Sequence, residues 1–183
     1  MKKNKIESIL AESDLLISES EACAAIERIA LEITADLSGA DPVMMCCMNG
    51  GLIFSGQLLT KLVFPLEVDF VHATRYGQET VGAELDWKVK PQCNLQGRTV
   101  VLLDDILDEG VTLAAIAAYC RLQGAESVLM AVLIEKLHLR KVTPGMKADY
   151  TGIEVGDRFL FGYGLDYKGY WRNAPGIYAV KHD

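Results

Sequence analysis

Three runs of unbroken hydrophobicity punctuate the chain: Val43-Met44-Met45-Cys46-Cys47-Met48, Val100-Val101-Leu102-Leu103, and Val128-Leu129-Met130-Ala131-Val132-Leu133-Ile134. Each gives way abruptly to polar or turn-forming residues: Asn49-Gly50-Gly51, Asp104-Asp105, and Glu135-Lys136. Short apolar runs without alternation predict strands covered on both faces, as in a parallel sheet. A fourth segment, Leu66 to Thr74, partly alternates, with Val68 and Phe70 set against Glu67 and Asp69, and predicts a strand nearer an edge. Between these runs the apolar period changes to that of a helix. Ser18-Glu19-Ser20-Glu21 fits a capping box. After it Ala22, Ile26, Ile29, Ala30, Ile33 and Leu37 recur at helical spacing, until Gly39 ends the helix and Pro42 prevents its continuation. Leu52 to Leu62 and Leu113 to Arg121 read as two further helices. Strands alternating with helices predict an α/β fold, a doubly wound and mainly parallel sheet with flanking helices.

Two segments break this grammar. Residues 75–97 are polar, carry Gly77, Gly82, Pro91 and Gly97, and read as a lid over a site, a surface β-hairpin, or a hairpin that serves as a lid. Residues 143–183 become dense in Gly and aromatics, notably Phe159 to Tyr167 and Tyr170-Trp171-Arg172. They predict short strands forming a hood beside the sheet, joined by part of the N-terminus. The expected organisation is one domain over residues 1–183, with its core at about 40–140.

Composition narrows the function. Half of the 183 residues are hydrophobic and the formal net charge is −7. A sizeable core is therefore expected, and a nucleic acid is not the expected partner, because backbone binding needs a basic surface. Anionic small molecules remain open, since they need only local amides and cations. The five cysteines form no C-x-x-C pair and read as small hydrophobes in a reducing compartment. Glu7, Glu12 and Asp14 interrupt any signal-like apolar stretch, and no run is long enough to span a membrane. The expectation is a cytoplasmic protein.

In doubly wound sheets, ligands bind beyond the carboxyl ends of the strands. Asn49-Gly50-Gly51, Arg75-Tyr76-Gly77, Asp104 to Thr112 and Lys136 all converge there. Asp104 and Asp105 suit either Mg²⁺ ligation or hydrogen bonds from sugar hydroxyls. Asp108-Glu109-Gly110-Val111-Thr112 offers successive amides at a helix start, an anion-binding arrangement in which the Glu109 charge is out of place. The turn lacks the Lys and glycine spacing of a nucleoside-triphosphate P-loop, and no G-x-G-x-x-G stands near it. Lys136 is placed to donate to a carbonyl oxygen or pair with an anion. Phe159 or Trp171 suits stacking on a planar base, and Arg75 and Arg172 are candidate cations. His72, His138 and His182 form no cluster in the sequence and receive no role.

These residues resemble a known family. Val100 to Thr112 is similar to the phosphoribosyl-pyrophosphate-binding motif of type I phosphoribosyltransferases. Lys136, Phe159, Gly162-Tyr163-Gly164-Leu165-Asp166-Tyr167 and Tyr170-Trp171-Arg172 resemble the purine site and hood of the hypoxanthine-guanine phosphoribosyltransferase family. The likeness runs in family order from residue 40 onward. It implies Mg²⁺-dependent transfer of the phosphoribosyl group from 5-phosphoribosyl 1-pyrophosphate to N9 of hypoxanthine or guanine, giving IMP or GMP and pyrophosphate.

By position, the resemblance makes Asp108 the general acid/base, with Tyr76 as a second catalytic residue in a closing loop. Asp104 and Asp105 face ribose and metal. Glu109, Gly110, Val111 and Thr112 cradle the 5′-phosphate. Asn49, Gly50 and Arg172 serve pyrophosphate, and Asp166 holds a second metal ion. Lys136, Phe159 and Leu160 bind the purine. Met48-Asn49-Gly50 is the loop in which relatives often carry a cis peptide. Asn49 stands where many relatives have Lys or Arg, Arg75 where Ser is common, and Val111 at a position that is sometimes Lys. A homodimer or homotetramer is implied. Two alternatives stand beside this reading: a xanthine-preferring sister transferase, and a non-catalytic RNA-binding regulator with the same fold.

Overall fold

β2 (Val43–Met48) lies inside a six-stranded sheet and shows why its apolar run is unbroken. Met44 enters one hydrophobic core with Ile26, Ile29, Ile33, Phe54 and Leu58. Its neighbours Val43 and Met45 enter a second core with Leu113, Ile116, Ala117 and Cys120. Successive strand side chains point to opposite faces, and here both faces are covered. Truncating the fully buried Phe54 to alanine would cost about 3–5 kcal/mol by the usual scale for aromatic cavities.

The computed structural model describes residues 2–75 and 85–181. The elements run in order α1 (Lys2–Glu12), β1 (Asp14–Ser18), α2 (Glu19–Leu37), β2, α3 (Leu52–Leu59), β3 (Glu67–Arg75), β4 (Leu85–Val89), β5 (Thr99–Leu107), α4 (Val111–Leu122), β6 (Ser127–Lys136), β7 (Tyr150–Val155), β8 (Leu160–Phe161) and β9 (Gly176–Ala179). The main sheet has the order β4-β3-β2-β5-β6-β7, parallel throughout except for the antiparallel β3–β4 pair. α2 and α3 supply one core and α4 the other, so the sheet is doubly wound as its sequence pattern predicts.

The capping box is present. Glu21 N–H donates to Ser18 Oγ at 3.3 Å, and Ser18 N–H donates to Glu21 Oε2 at 2.8 Å. Such a cap stabilises a helix by about 1 kcal/mol.

Several expectations require correction. β3 does lie nearer an edge, but β4, antiparallel to it, forms the edge itself. Residues 76–84, including Tyr76 and Gly77, lie outside the described residues. The tail is not wholly a hood. Tyr150–Val155 joins the main sheet beside β6, where α2 covers one face, Tyr150 donating from its hydroxyl to Asp36 Oδ2 at 3.0 Å. An edge strand covered on one side alternates, which is why it lacks the apolar run of its neighbours. α3 stops at Leu59 rather than Leu62. α4 starts at Val111, two residues before its apolar period, because Gly110 takes a left-handed conformation (φ 80°) at the cap. β5 continues through both acids to Leu107.

The hood is built from both chain ends. β1, β9 and β8 form a three-stranded antiparallel sheet. α1 packs on it, Ile9 meeting Phe161 and Tyr167, while Trp171 Nε1–H donates to the Ile6 carbonyl. The expected share of the N-terminus in the hood is there, but β1 is not foreseen as a strand, because it completes itself only against β9 at the far end of the chain.

Candidate active site

The carboxyl ends of β2, β5 and β6 and the hood enclose one cleft of about 590 Å³. Of the candidate residues proposed from sequence, Tyr76 lies outside the described residues. Trp171, the alternative stacking candidate, packs instead in the hood with its Nε1–H on the Ile6 carbonyl. Lining the cleft are Asn49, Gly50, Asp104, Asp105, Asp108 to Thr112, Lys136, Phe159, Leu160, Asp166 and Arg172. His72 and Thr74 of β3 line it too, and sequence reasoning assigned neither.

The β2–α3 loop enters the cleft with a cis peptide between Met48 and Asn49. Gly50 lies so close to the Asp105 carboxylate that any side chain would collide with it. Its glycine is therefore a requirement of close approach, not of flexibility.

Asp105 is buried and Asp104 half-buried, with Asp105 N–H donating to Asp104 Oδ1 at 3.0 Å. Burial holds both carboxyls above the usual carboxylate range. For Asp104 the adjacent Asp105 charge adds to burial. For Asp105 burial outweighs the Asp104 hydrogen bond and the Arg172 guanidinium, 3.9 Å away. Arg172 also pairs with Asp166, whose Oδ2 accepts the Gly169 N–H at 2.7 Å.

Asp108 and Glu109 form the turn that leads into α4. Gly110 caps the helix without a side-chain hydrogen bond, so α4 presents its first amides to the cleft. Glu109, awkward in an anion-binding turn, has its Oε1 3.9 Å from Arg140 Nε. Arg140, from the loop after β6, thus faces both Glu109 and Asp157.

Lys136 ends β6 as a buried lysine, not a surface one, with its ammonium 2.8 Å from Asp108 Oδ2. His138 Nε2 lies 2.7 Å from Asp108 Oδ1. Burial pushes the Asp108 carboxyl up, but hydrogen bonds from Lys136 and His138 outweigh it and hold the group below the usual range. Phe159 is 41% exposed and meets Tyr167 edge to face at 5.9 Å. Leu160 lies beside it, buried in β8.

Residues 16–168 match the phosphoribosyl transferase domain family. The chain belongs to this family. Hypoxanthine-guanine phosphoribosyltransferase of Bacillus subtilis (strain 168) is 32% identical over 182 residues, covering 99% of this chain and 97% of the relative. The enzyme of the same name from Streptococcus pneumoniae (strain R6) is 30% identical over 170 residues, 92% of this chain and 93% of the relative. A crystal structure of hypoxanthine phosphoribosyltransferase from Staphylococcus aureus superposes with a TM-score of 0.85 at 26% identity, covering 92% of this chain and 91% of that one. A hypoxanthine-guanine phosphoribosyltransferase from Bacillus anthracis gives 0.84 at 28% identity, over 91% and 98% of the two chains.

Within this phosphoribosyltransferase fold, the residue sequence reasoning overlooked is His138. The chain brings it to Asp108 only because the turn after β5 and the loop after β6 lie side by side in the parallel sheet. Its position two residues beyond Lys136 was the one available signal. Asp157 is also unassigned from sequence, accepting from Arg140 Nη1 at 2.5 Å and Nη2 at 3.1 Å.

Proposed function

We propose that this chain transfers the 5-phosphoribosyl group from 5-phosphoribosyl 1-pyrophosphate to N9 of hypoxanthine or guanine, forming IMP or GMP and pyrophosphate. The observation that carries the reading is the lining of one cleft. It is lined both by an acidic pair and a bare helix start and by a lysine–aspartate pair and an exposed aromatic side chain.

At the sugar end, Asp104 and Asp105 accept hydrogen bonds from the ribose hydroxyls. The amides of Gly110, Val111 and Thr112 hold the 5′-phosphate, aided by the Thr112 hydroxyl and the positive end of α4. Asn49, the Gly50 backbone and Arg172 meet the pyrophosphate. At the base end Phe159 stacks on the purine, Leu160 lies against its edge and Lys136 donates to O6. The N9 lone pair bonds to C1′ as the bond from C1′ to the pyrophosphate oxygen breaks. Asp108 accepts the proton that leaves N7. The carboxylates near the sugar favour the positive charge that develops on it.

The donor set suits Mg²⁺. Asp104, Asp105 and Asp166 offer hard carboxylate oxygens, and all three line the cleft. When bound, the ion neutralises charge on the departing pyrophosphate. Asp108, His138 and Asp157 also offer ligand atoms within 4.8 Å of one another. Lys136 and Arg140 already match those carboxylates, so no metal is assigned there.

The same reading takes the enzyme to be a cytoplasmic homodimer or homotetramer. Exposed apolar side chains at Leu52, Val68 and Phe70 support self-association. No helix among the described residues is long and apolar enough to cross a membrane.

The test is a product assay with the sugar donor, Mg²⁺ and each of hypoxanthine, guanine, xanthine and adenine. IMP and GMP should form fastest. A preference for xanthine would reassign the substrate, and nucleotide from adenine alone would overturn the role of Lys136.

A further inference from the structure

The Asp108 carboxylate is held from two directions. Lys136 occupies Oδ2 at 2.8 Å and His138 Nε2 occupies Oδ1 at 2.7 Å. The other ring nitrogen of His138, Nδ1, accepts the backbone N–H of Arg140 at 3.1 Å. A nitrogen that accepts a hydrogen bond carries no proton. The ring is therefore the neutral Nε2–H tautomer, and it donates to Asp108. Its side chain is 5% exposed, which keeps water from competing for that bond.

The amide that sets the tautomer is itself anchored. Arg140 pairs through both terminal nitrogens with Asp157, and Leu137 N–H donates to the Val155 carbonyl at 2.8 Å. The loop after β6 thus presents one fixed donor to the carboxylate. The charged groups around the ring are Asp108 and Glu109 from the turn after β5, Lys136 at the end of β6, Arg140 and Lys141 from its own loop, and Asp157 from the segment after β7.

From this geometry we infer that His138 is a positioning residue for phosphoribosyl transfer, its Nε2–H fixing the Asp108 carboxylate so that Oδ2 faces the purine. The inference rests on the reading of Asp108 as the group that takes the N7 proton. O6 and N7 lie on one edge of a purine. Once Lys136 turns to O6, its hold on Asp108 weakens at the moment the carboxylate must be aligned. His138 does not contact the base, and its hold persists. Partners of this kind, which orient a group that does the chemistry, typically change its performance by 10–100-fold.

The test compares His138→Leu, which keeps bulk but has no donor, with His138→Gln, which retains an N–H. Steady-state rates are measured across pH, below the unfolding midpoints of both variants. His138→Leu should lower kcat about tenfold or more, with the KM for the sugar donor little changed. It also removes one of the hydrogen bonds that depress Asp108, so the acid limb of the pH profile should move to higher pH. His138→Gln should recover most of both. A merely structural histidine would lower stability in both variants and leave the acid limb in place.

Equal kcat and an equal acid limb in the two variants would overturn the inference. A ¹⁵N-histidine spectrum of the wild-type protein showing the Nδ1–H tautomer would also do so, and that measurement needs no variant to fold. If the wild-type protein makes no nucleotide from any purine, or Asp108→Asn turns over normally, the functional reading itself fails. If those controls behave and only the His138 results disagree, the positioning role alone falls.

Discussion

Gly164 of the hood sits directly against the carbonyl oxygen of Gly50 in the β2–α3 loop, in a left-handed conformation with φ of 115°. A Cβ at Gly164 would overlap that carbonyl and crowd the Asp105 side chain, 3.1 Å from its Cβ. The hood, the loop proposed for pyrophosphate and the acidic pair therefore meet at one point where only glycine fits. Gly164→Ala should destabilise the fold by about 1–3 kcal/mol, the scale of a strained left-handed residue. It should also raise the KM for the sugar donor more than that for the purine. Thermal unfolding and steady-state kinetics on the same variant check both.

Lys136→Ala should affect selectivity more than folding. A 6-oxopurine offers an acceptor to the ammonium, whereas adenine presents a second donor. Removing the lysine should narrow the preference of hypoxanthine over adenine by roughly 5–150-fold, corresponding to about 1–3 kcal/mol for an unpaired polar contact. Competition between the two bases in one reaction measures the ratio. An unchanged ratio would place O6 elsewhere.

Away from the cleft, Asp69 ties β3 to the segment after β4. Burial pushes its carboxyl up, but the backbone N–H groups of Cys93, Phe70 and Gln92 outweigh it and hold the group below the usual range. Its folded pKa therefore lies below its unfolded value of about 3.9, so its contribution is present above about pH 4 and disappears as pH falls through the folded value. Asp69→Asn should lower stability at pH 7 by about 1 kcal/mol, with the gap to wild type closing in strong acid. Denaturant midpoints measured from pH 2 to pH 7 test the sign.

For the acidic pair the sign is opposite. Burial raises the folded pKa of Asp104 and Asp105 above the unfolded value, so their contribution is most favourable below about pH 4 and is lost as pH rises through the folded value. Asp105→Asn should raise the unfolding temperature of the metal-free protein at pH 7 while abolishing most of the turnover. Mg²⁺ together with the sugar donor should stabilise wild type more than the variant. A variant that is both less stable and equally active would contradict the cost of burying the carboxylate and its proposed role.

Much of this was legible in the sequence, for identifiable reasons. Val100 to Leu103 lies between two cores, so its apolar run announced a central strand, and the acids that follow had to emerge at the ligand end. The capping box of Ser18 and Glu21 is local and was readable directly. What escaped depends on partners distant in the chain. β1 exists only against β9, with Asp14 opposite Ala179. Glu109 meets Arg140 only in the folded chain, and His138 gains its meaning only beside Asp108. Tyr150–Val155 escaped because a strand covered on one face lacks an unbroken apolar run.

Phosphoribosyl transfer itself is tested most directly by supplying 5-phosphoribosyl 1-pyrophosphate, Mg²⁺ and hypoxanthine to wild type and Asp108→Asn, and following IMP and pyrophosphate together. Wild type should release the two in equal amounts. Asp108→Asn should slow both by about 100-fold or more, the scale of a lost general acid/base. Pyrophosphate without IMP, or equal rates in the two proteins, would contradict the assignment.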